Sequence, residues 1–168
     1  MNLHLRPFRP DDETAARAAH AELEREGFPF LLGWEPEETW AAYVERLRRR
    51  RRGEDLAPGW VPSTFLAAVV DGELVGRTSI RHELNEYLAE IGGHVGYAVR
   101  PPHRRRGYAG EILRQSLVLA RAEGVERVLV TCDDDNLASA RIIERLGGVL
   151  EDVRATPDGP PKRRYWIG

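Results

Sequence analysis

The stretch that decides the fold is Val99-Arg100-Pro101-Pro102-His103-Arg104-Arg105-Arg106-Gly107-Tyr108-Ala109. An apolar run over Val95–Val99 precedes it and an amphipathic pattern over Ala109–Glu123 follows it, so it joins a predicted strand to a predicted helix. The free N–H groups and the dipole at a helix N-terminus favour an anion there. Gly107 has no Cβ, so a phosphate could approach the backbone closely. The stretch predicts an anion-binding loop, with a solvated arginine cluster as the ordinary alternative.

Composition narrows the class of protein. The chain has 168 residues, of which 42% are hydrophobic and 31% charged, and this predicts one globular domain over residues 1–168. The formal net charge of −2 gives no overall attraction to nucleic acid. No apolar run approaches the roughly 20 residues of a membrane helix, and no signal peptide is recognisable. Because Cys132 is the only cysteine, a disulfide within the chain and a cysteine metal cluster are excluded. We expect a cytoplasmic protein without a metal, a membrane partner or a nucleic-acid partner.

Hydrophobic periodicity and turn signals predict the remaining elements. Asp71-Gly72 between two apolar runs is a strong hairpin signal. The predicted elements are, in chain order, a strand at Leu3–Phe8, a helix from Asp11 or Asp12 to Gly27, a helix from Pro36-Glu37-Glu38 through Leu47, strands at Phe65–Val70, Leu74–His82 and about Gly93–Val99, the helix at Ala109–Glu123, a strand at Val128–Cys132, a helix from Asn136 to Leu146, and strands at Val149–Val153 and Arg164–Ile167. This order, β-α-α-β-β-β-α-β-α-β-β, predicts a single domain with one mixed α/β sheet.

Two motifs resemble those of a known family. The spacing Arg-x-x-Gly-x-Ala at Arg104, Gly107 and Ala109 resembles the pyrophosphate-binding loop of the GNAT superfamily of acyl-CoA N-acyltransferases. Asn136-Leu137-Ala138-Ser139 opens a helix that ends at Leu146-Gly147, where the family often carries Asn-x-x-Ser or Asn-x-x-Ala and then Leu-Gly. The element order is also similar along nearly the whole chain. The resemblance implies an enzyme that transfers an acetyl group from acetyl-CoA to a primary amine by direct attack on the thioester.

The resemblance also implies where coenzyme A binds. The backbone of Tyr97, Ala98 and Val99 would meet the pantetheine arm, and one of their N–H groups would stabilise the oxyanion. Asn136 and Ser139 would contact the cofactor at the next helix, although both residue types also favour helix capping. The pyrophosphate would lie on the loop residues Arg104, Arg105, Arg106, Gly107, Tyr108 and Ala109.

A general base is expected because an amine with a pKa of about 10.4 is mostly protonated at neutral pH. Many family members carry Glu or His on the strand before the loop, and the candidates here are Glu90 and His94. The usual base position falls on Gly93, so His94 would point away unless Gly92-Gly93 forms a bulge. A core role for His94 and a solvated strand-start role for Glu90 are the structural alternatives.

Ile143 departs from the family pattern, since many members carry a Tyr seven residues after the Asn to protonate the leaving thiolate. On this alignment Ile143 faces the thioester sulfur, and water, Ser139 or Cys132 supplies the proton. The missing acid is worth only about 2 kcal/mol, because a thiol of pKa about 8.5 leaves readily as thiolate. An acylated Cys132 is a minor option. The departure also keeps open a second class of function, an acyl-CoA-binding sensor or interaction module with a degenerate active site.

The acceptor is expected on the opposite side of the sheet from coenzyme A. The family usually walls that side with the segment between the first two helices. That segment carries Phe28, Phe30, Leu31, Leu32 and Trp34. A locally packed core loop is the alternative for these residues. The amine, the acyl length and the oligomeric state stay open, with a homodimer among the options.

Overall fold

The computed structural model describes residues 1–168 and contains seven strands and four longer helices. The strands are β1 (Leu3–Pro7), β2 (Ser63–Val70), β3 (Glu73–Arg81), β4 (Val95–Val99), β5 (Val128–Asp133), β6 (Val149–Thr156) and β7 (Gly159–Ile167). The helices are α1 (Glu13–Glu24), α2 (Trp40–Arg51), α3 (Tyr108–Ala122) and α4 (Leu137–Arg145). The predicted element order and the mixed α/β class are confirmed. No helix combines the length and the apolar character needed to cross a membrane.

All strands belong to one sheet with the order β1-β2-β3-β4-β5-β7-β6. Every neighbouring pair is antiparallel except β4 and β5, which align in parallel at Val95 and Val130 alone. β4 stays paired with β3 from Val95 to Val99. The two central strands therefore diverge after Val95, and we call this opening the fork. Beyond it one edge of β4 has no strand partner, so the N–H groups on that edge are free for a ligand.

Each face of the sheet has its own core. α1 and α2 cover one face, with Tyr43, Phe65 and Ala98 among the buried residues. α3 and α4 cover the other, where Val95 and Leu113 are buried. Because strand side chains alternate between faces, Gly96 and Ala98 face α1 and α2, whereas Val95 and Tyr97 face α3 and α4. Burying one such aliphatic side chain is worth about 1.5–3 kcal/mol.

The start of α2 differs from the prediction. Acidic residues after Pro36 indicated an earlier start, but Thr39 is the N-cap and the helix begins at Trp40. The Thr39 hydroxyl accepts a hydrogen bond from the Ala42 N–H at 3.2 Å. A cap oxygen satisfies a free N–H group, whereas an acidic residue nearby only favours the dipole, so the cap decides the boundary.

The segment before β4 differs more. The predicted strand from Gly93 begins at Val95, because a π-helical turn over Leu88–Gly92 precedes it. Gly93 leaves this turn with φ +68°, and a Cβ there would lie 2.7 Å from the Leu129 carbonyl oxygen. Only glycine fits that conformation and that approach. Glu90 consequently lies on a helical turn rather than on the strand before the loop.

Candidate active site

The arginine loop forms the N-terminus of α3. Arg105 and Gly107 adopt positive φ angles of 63° and 81°, and Gly107 is the residue before the first helical turn. None of the backbone N–H groups from Arg105 to Gly110 has an acceptor in the protein. N–H groups on such alternating backbone form a concavity that attracts anions. This geometry supports the predicted anion-binding loop.

The side chain of Arg104 positions this loop. Its two terminal nitrogens donate to the Glu26 carboxylate at 2.9 and 2.7 Å, and its Nε donates to the Val99 carbonyl at 3.2 Å. The loop is thereby tied to the end of α1 and to β4. The side chains of Arg105 and Arg106 remain exposed. Exposed guanidinium groups can approach a phosphate without first leaving a carboxylate.

A cleft of about 1240 Å³ extends from this loop along β4 to α4. It brings together residues that are far apart in the sequence. Its lining includes the predicted cofactor residues Tyr97, Ala98, Val99, Arg104, Arg105, Gly107, Tyr108, Ala109, Asn136 and Ser139, whereas Arg106 lies outside it. No group of three His, Cys, Asp or Glu side chains is arranged to hold a metal ion.

A hydrogen bond crosses the cleft between β4 and α4. The Tyr97 hydroxyl and the Ser139 hydroxyl lie 2.6 Å apart. Asn136 caps α4, since its Oδ1 accepts the Ser139 N–H at 3.1 Å. Burial raises the pKa of Tyr97, so the phenol is neutral near pH 7. Sequence reasoning used only the backbone of Tyr97, because its hydroxyl meets a partner 42 residues away.

Ile143 does not face the cleft, and the prediction that it faces the thioester sulfur is wrong. Its side chain is fully buried between α4 and the sheet. A Cβ added at Gly148 would lie 2.5 Å from its Cγ2. Cys132 is buried too, and burial raises the pKa of its thiol to about 11. A thiol of that pKa supplies little thiolate near pH 7, which disfavours an acylated cysteine.

His94 is poorly suited to act as the general base. Its Nδ1 accepts the backbone N–H of Leu129 at 2.9 Å, so the neutral ring carries its proton on Nε2. Burial and, as the smaller cause, the neighbouring Arg81 guanidinium together lower the pKa of His94 to about 4. A ring in this state has no free lone pair for an amine proton. The π-helical turn that ends at Gly93 does not bring His94 into the lining of the cleft.

Glu90 is also absent from the cleft. Its exposed carboxylate pairs with Arg154 on β6. The carboxylates that do line the cleft are those of Glu26 and Glu144. Glu26 is held by Arg104, and Glu144 accepts the Tyr165 hydroxyl at 2.8 Å. The cleft therefore brings neither of the two candidate bases to the fork.

The segment between α1 and α2 is mainly a packed core loop. Phe30 and Leu31 are fully buried, and Leu32 and Trp34 pack partly buried against the same core. Only Phe28 of the predicted wall lines the cleft. The burial of Phe30 and Leu31 favours the alternative of a locally packed core loop.

Comparison with known proteins places this geometry in a family. Residues 2–149 match the model of the acetyltransferase (GNAT) domain. The uncharacterized N-acetyltransferase YjdG of Bacillus subtilis is 24% identical over 159 residues, which cover 92% of this chain and 86% of that protein.

Solved structures share the fold. YncA of Salmonella typhimurium, solved with its cofactor acetyl-CoA, aligns with a TM-score of 0.67 at 14% identity and covers 99% of this chain and 94% of its own. A ribosomal-protein-S5-alanine acetyltransferase of Vibrio fischeri aligns with a TM-score of 0.68 at 14% identity, over 99% of this chain and 93% of its own. The family model spans most of the sequence and includes both strands of the fork. The chain therefore belongs to the GNAT acetyltransferase family.

Proposed function

We propose that this acyl-CoA N-acetyltransferase moves the acetyl group of acetyl-CoA to a primary amine by direct attack. Membership of the GNAT family supports acetyl transfer in general and acetyl-CoA as the co-substrate. One observation of this chain supports it most. The unpartnered N–H groups from Arg105 to Gly110 open on the same cleft as the free edge of β4. One end of that cleft suits a pyrophosphate and the other suits an amide-containing arm.

The fork supplies the reaction geometry. The pantetheine arm of the substrate would run along β4 from Val99 towards Gly96, and a free N–H group of β4 would donate to the thioester carbonyl. The amine nitrogen attacks the carbonyl carbon, the C–N bond forms, and the C–S bond breaks as coenzyme A leaves. A backbone donor that is already fixed in the sheet stabilises the developing oxyanion without reorganisation.

Two protons must move in this reaction. We propose that the Tyr97 hydroxyl, steadied by Ser139 at 2.6 Å, donates a proton to the leaving sulfur and then takes a proton from water. The incoming amine loses its proton to water, because His94 and Glu90 lie away from the cleft. The rate should then rise with pH as more of the amine becomes neutral.

Release of free thiol from acetyl-CoA with a panel of primary amines tests the proposal. We expect release that depends on both the protein and an amine. Tight binding of acetyl-CoA without thiol release from any amine would favour the alternative of an acyl-CoA-binding sensor. The cytoplasmic location, the homodimer and the absence of membrane and nucleic-acid partners stay predictions.

A further inference from the structure

Two arginines on β3 lie on the face of the sheet that α1 and α2 cover. Arg77 is only 2% exposed, and Arg81 is half-buried. Neither is paired with a carboxylate, and the charged or polar groups that act on them are each other, Tyr43 and Tyr87. Enclosed charges in proteins are normally paired, so two unpaired guanidinium groups side by side need an explanation.

Hydrogen bonds within the protein account for the burial of Arg77. Its nitrogens donate to the carbonyls of Pro29 at 2.8 Å, Phe30 at 3.0 Å and Gly96 at 3.3 Å. These bonds hold the loop after α1 against β4. Burial still lowers the pKa of Arg77 to about 9, so it remains a cation near pH 7.

Arg81 lacks such partners. Its single hydrogen bond, from Nη1 to the Gly92 carbonyl, is 3.5 Å long, which is at the limit for a hydrogen bond. Nε and Nη2 have no acceptor in the protein, and neither nitrogen is fully buried. Both nitrogens therefore reach solvent-accessible space, and the guanidinium presents two parallel donors to it.

The position of Arg81 points to the acceptor. A Cβ built on Gly96 would lie 3.2 Å from its Nη1, so the guanidinium stands beside the first residue past the fork. His94 lies next to it across the strand pair, since the Arg81 N–H donates to the His94 carbonyl at 2.7 Å. The same Cβ would lie 3.8 Å from Nη2 of Arg81 and 3.9 Å from Nη1 of Arg77, so two guanidinium groups adjoin Gly96 on the face opposite α3 and α4.

We infer that Arg81 binds an anionic oxygen group of the acceptor, so that the acceptor is a small amine carrying a carboxylate or a phosphate. The inference rests on the proposed acetyl transfer. The arginine loop and α4 border the fork on the other face, which leaves this face for the amine to approach. Carboxylate and phosphate both match the paired donors of a guanidinium, and the charge of Arg77 adds to the attraction.

Matched pairs of amines test the inference by turnover. An amino acid is compared with its carboxamide, and phosphoethanolamine with ethanolamine, by kcat/KM for thiol release. We expect wild type to prefer one of the anionic members by about tenfold or more, as for a hydrogen bond to a charged group. Arg81→Gln should remove this preference through KM, while the neutral partner changes less than about threefold. Arg81→Lys should keep part of the preference, because it keeps the charge without the paired donors.

A matched control and a binding measurement complete the test. Arg48→Gln removes the same charge from the exposed surface of α2 and should leave the preference intact. Independently of turnover, acetate and inorganic phosphate are titrated into protein loaded with coenzyme A, which fills the pyrophosphate loop. The Nε–H resonance of Arg81, assigned by its loss in Arg81→Gln, should shift with one of the two anions.

The outcomes separate this inference from the proposed function. A shifted resonance without thiol release from any amine would leave the anion site standing and refute acetyl transfer. Equal turnover of the anionic and neutral partners with an unmoved resonance would overturn the anion site and leave acetyl transfer standing. If Arg81→Gln lowered kcat/KM equally for the anionic and the neutral amine, and the Nε–H resonance did not shift in wild type, Arg81 would only support the segment before β4. That result would also overturn the anion site.

Discussion

The imidazole of His94 should make the stability of the folded protein depend on pH. Its pKa in the folded protein is lowered to about 4, whereas an unfolded histidine titrates near 6.5. Between these values the unfolded chain binds a proton that the folded protein does not. The contribution of His94 to the free energy of unfolding is therefore complete above about pH 6.5 and is lost as the pH falls towards 4.

The expected size of the loss follows from the two pKa values. At pH 5 nearly all unfolded chains carry the His94 proton, while few folded molecules do. The corresponding loss of stability relative to pH 7.5 is about 2 kcal/mol. His94→Gln keeps an oxygen that can accept the Leu129 N–H but cannot titrate. The variant should consequently lose about 2 kcal/mol less than wild type over this range.

Urea denaturation followed by tryptophan fluorescence at pH 7.5 and pH 5 measures this difference. Other titrating groups contribute equally to both proteins, so subtracting the two losses isolates His94. His4→Gln, at an exposed histidine, is the matched control and should follow wild type. If wild type and His94→Gln lost the same stability, His94 would titrate normally, and the argument from its pKa against a role as general base would be refuted.

Three further substitutions test the site. Gly107→Glu should abolish acetyl-CoA binding in calorimetry, because it adds bulk and negative charge to the anion loop. Gly124→Glu, at a similar positive φ of 90° with open space around it, should not change the affinity, and equal losses would refute the loop assignment. Ile143→Tyr should lower the free energy of unfolding by about 2 kcal/mol or more, since overpacking a filled core is costly. Unchanged stability in urea would show that this side chain is not in the core. Tyr97→Phe should keep the acetyl-CoA affinity within a few-fold and lower kcat by at most about thirtyfold, the factor equal to 2 kcal/mol. An unaltered kcat would mean that water protonates the sulfur.

Local signals in the sequence were sufficient for most of the fold. Asp71-Gly72 joins β2 to β3 as the hairpin signal predicts, and Asn136 begins α4 as a cap. Gly107 adopts the left-handed conformation for which glycine is suited. Each of these features depends on residues close together in the chain, so its physical cause can be recognised in a short window.

Features that depend on distant residues could not be predicted in this way. The register of α4 against the sheet turns Ile143 inward, and no pattern within α4 distinguishes that face from the one beside the cleft. The π-helical turn over Leu88–Gly92 places Glu90 off the strand, and it ends where Gly93 approaches the distant Leu129 carbonyl. Arg81 stands out only when Gly96 and His94 are known to be its neighbours.

The structure of the protein in complex with acetyl-CoA tests the central claim most directly. We predict that the pyrophosphate accepts hydrogen bonds from the backbone N–H groups of the loop around Gly107. The pantetheine arm should pair with the free edge of β4, and the thioester should lie at the fork beside Gly96, open to the face that carries Arg81. A pyrophosphate bound away from the N-terminus of α3, or a thioester closed off from that face, would contradict the account.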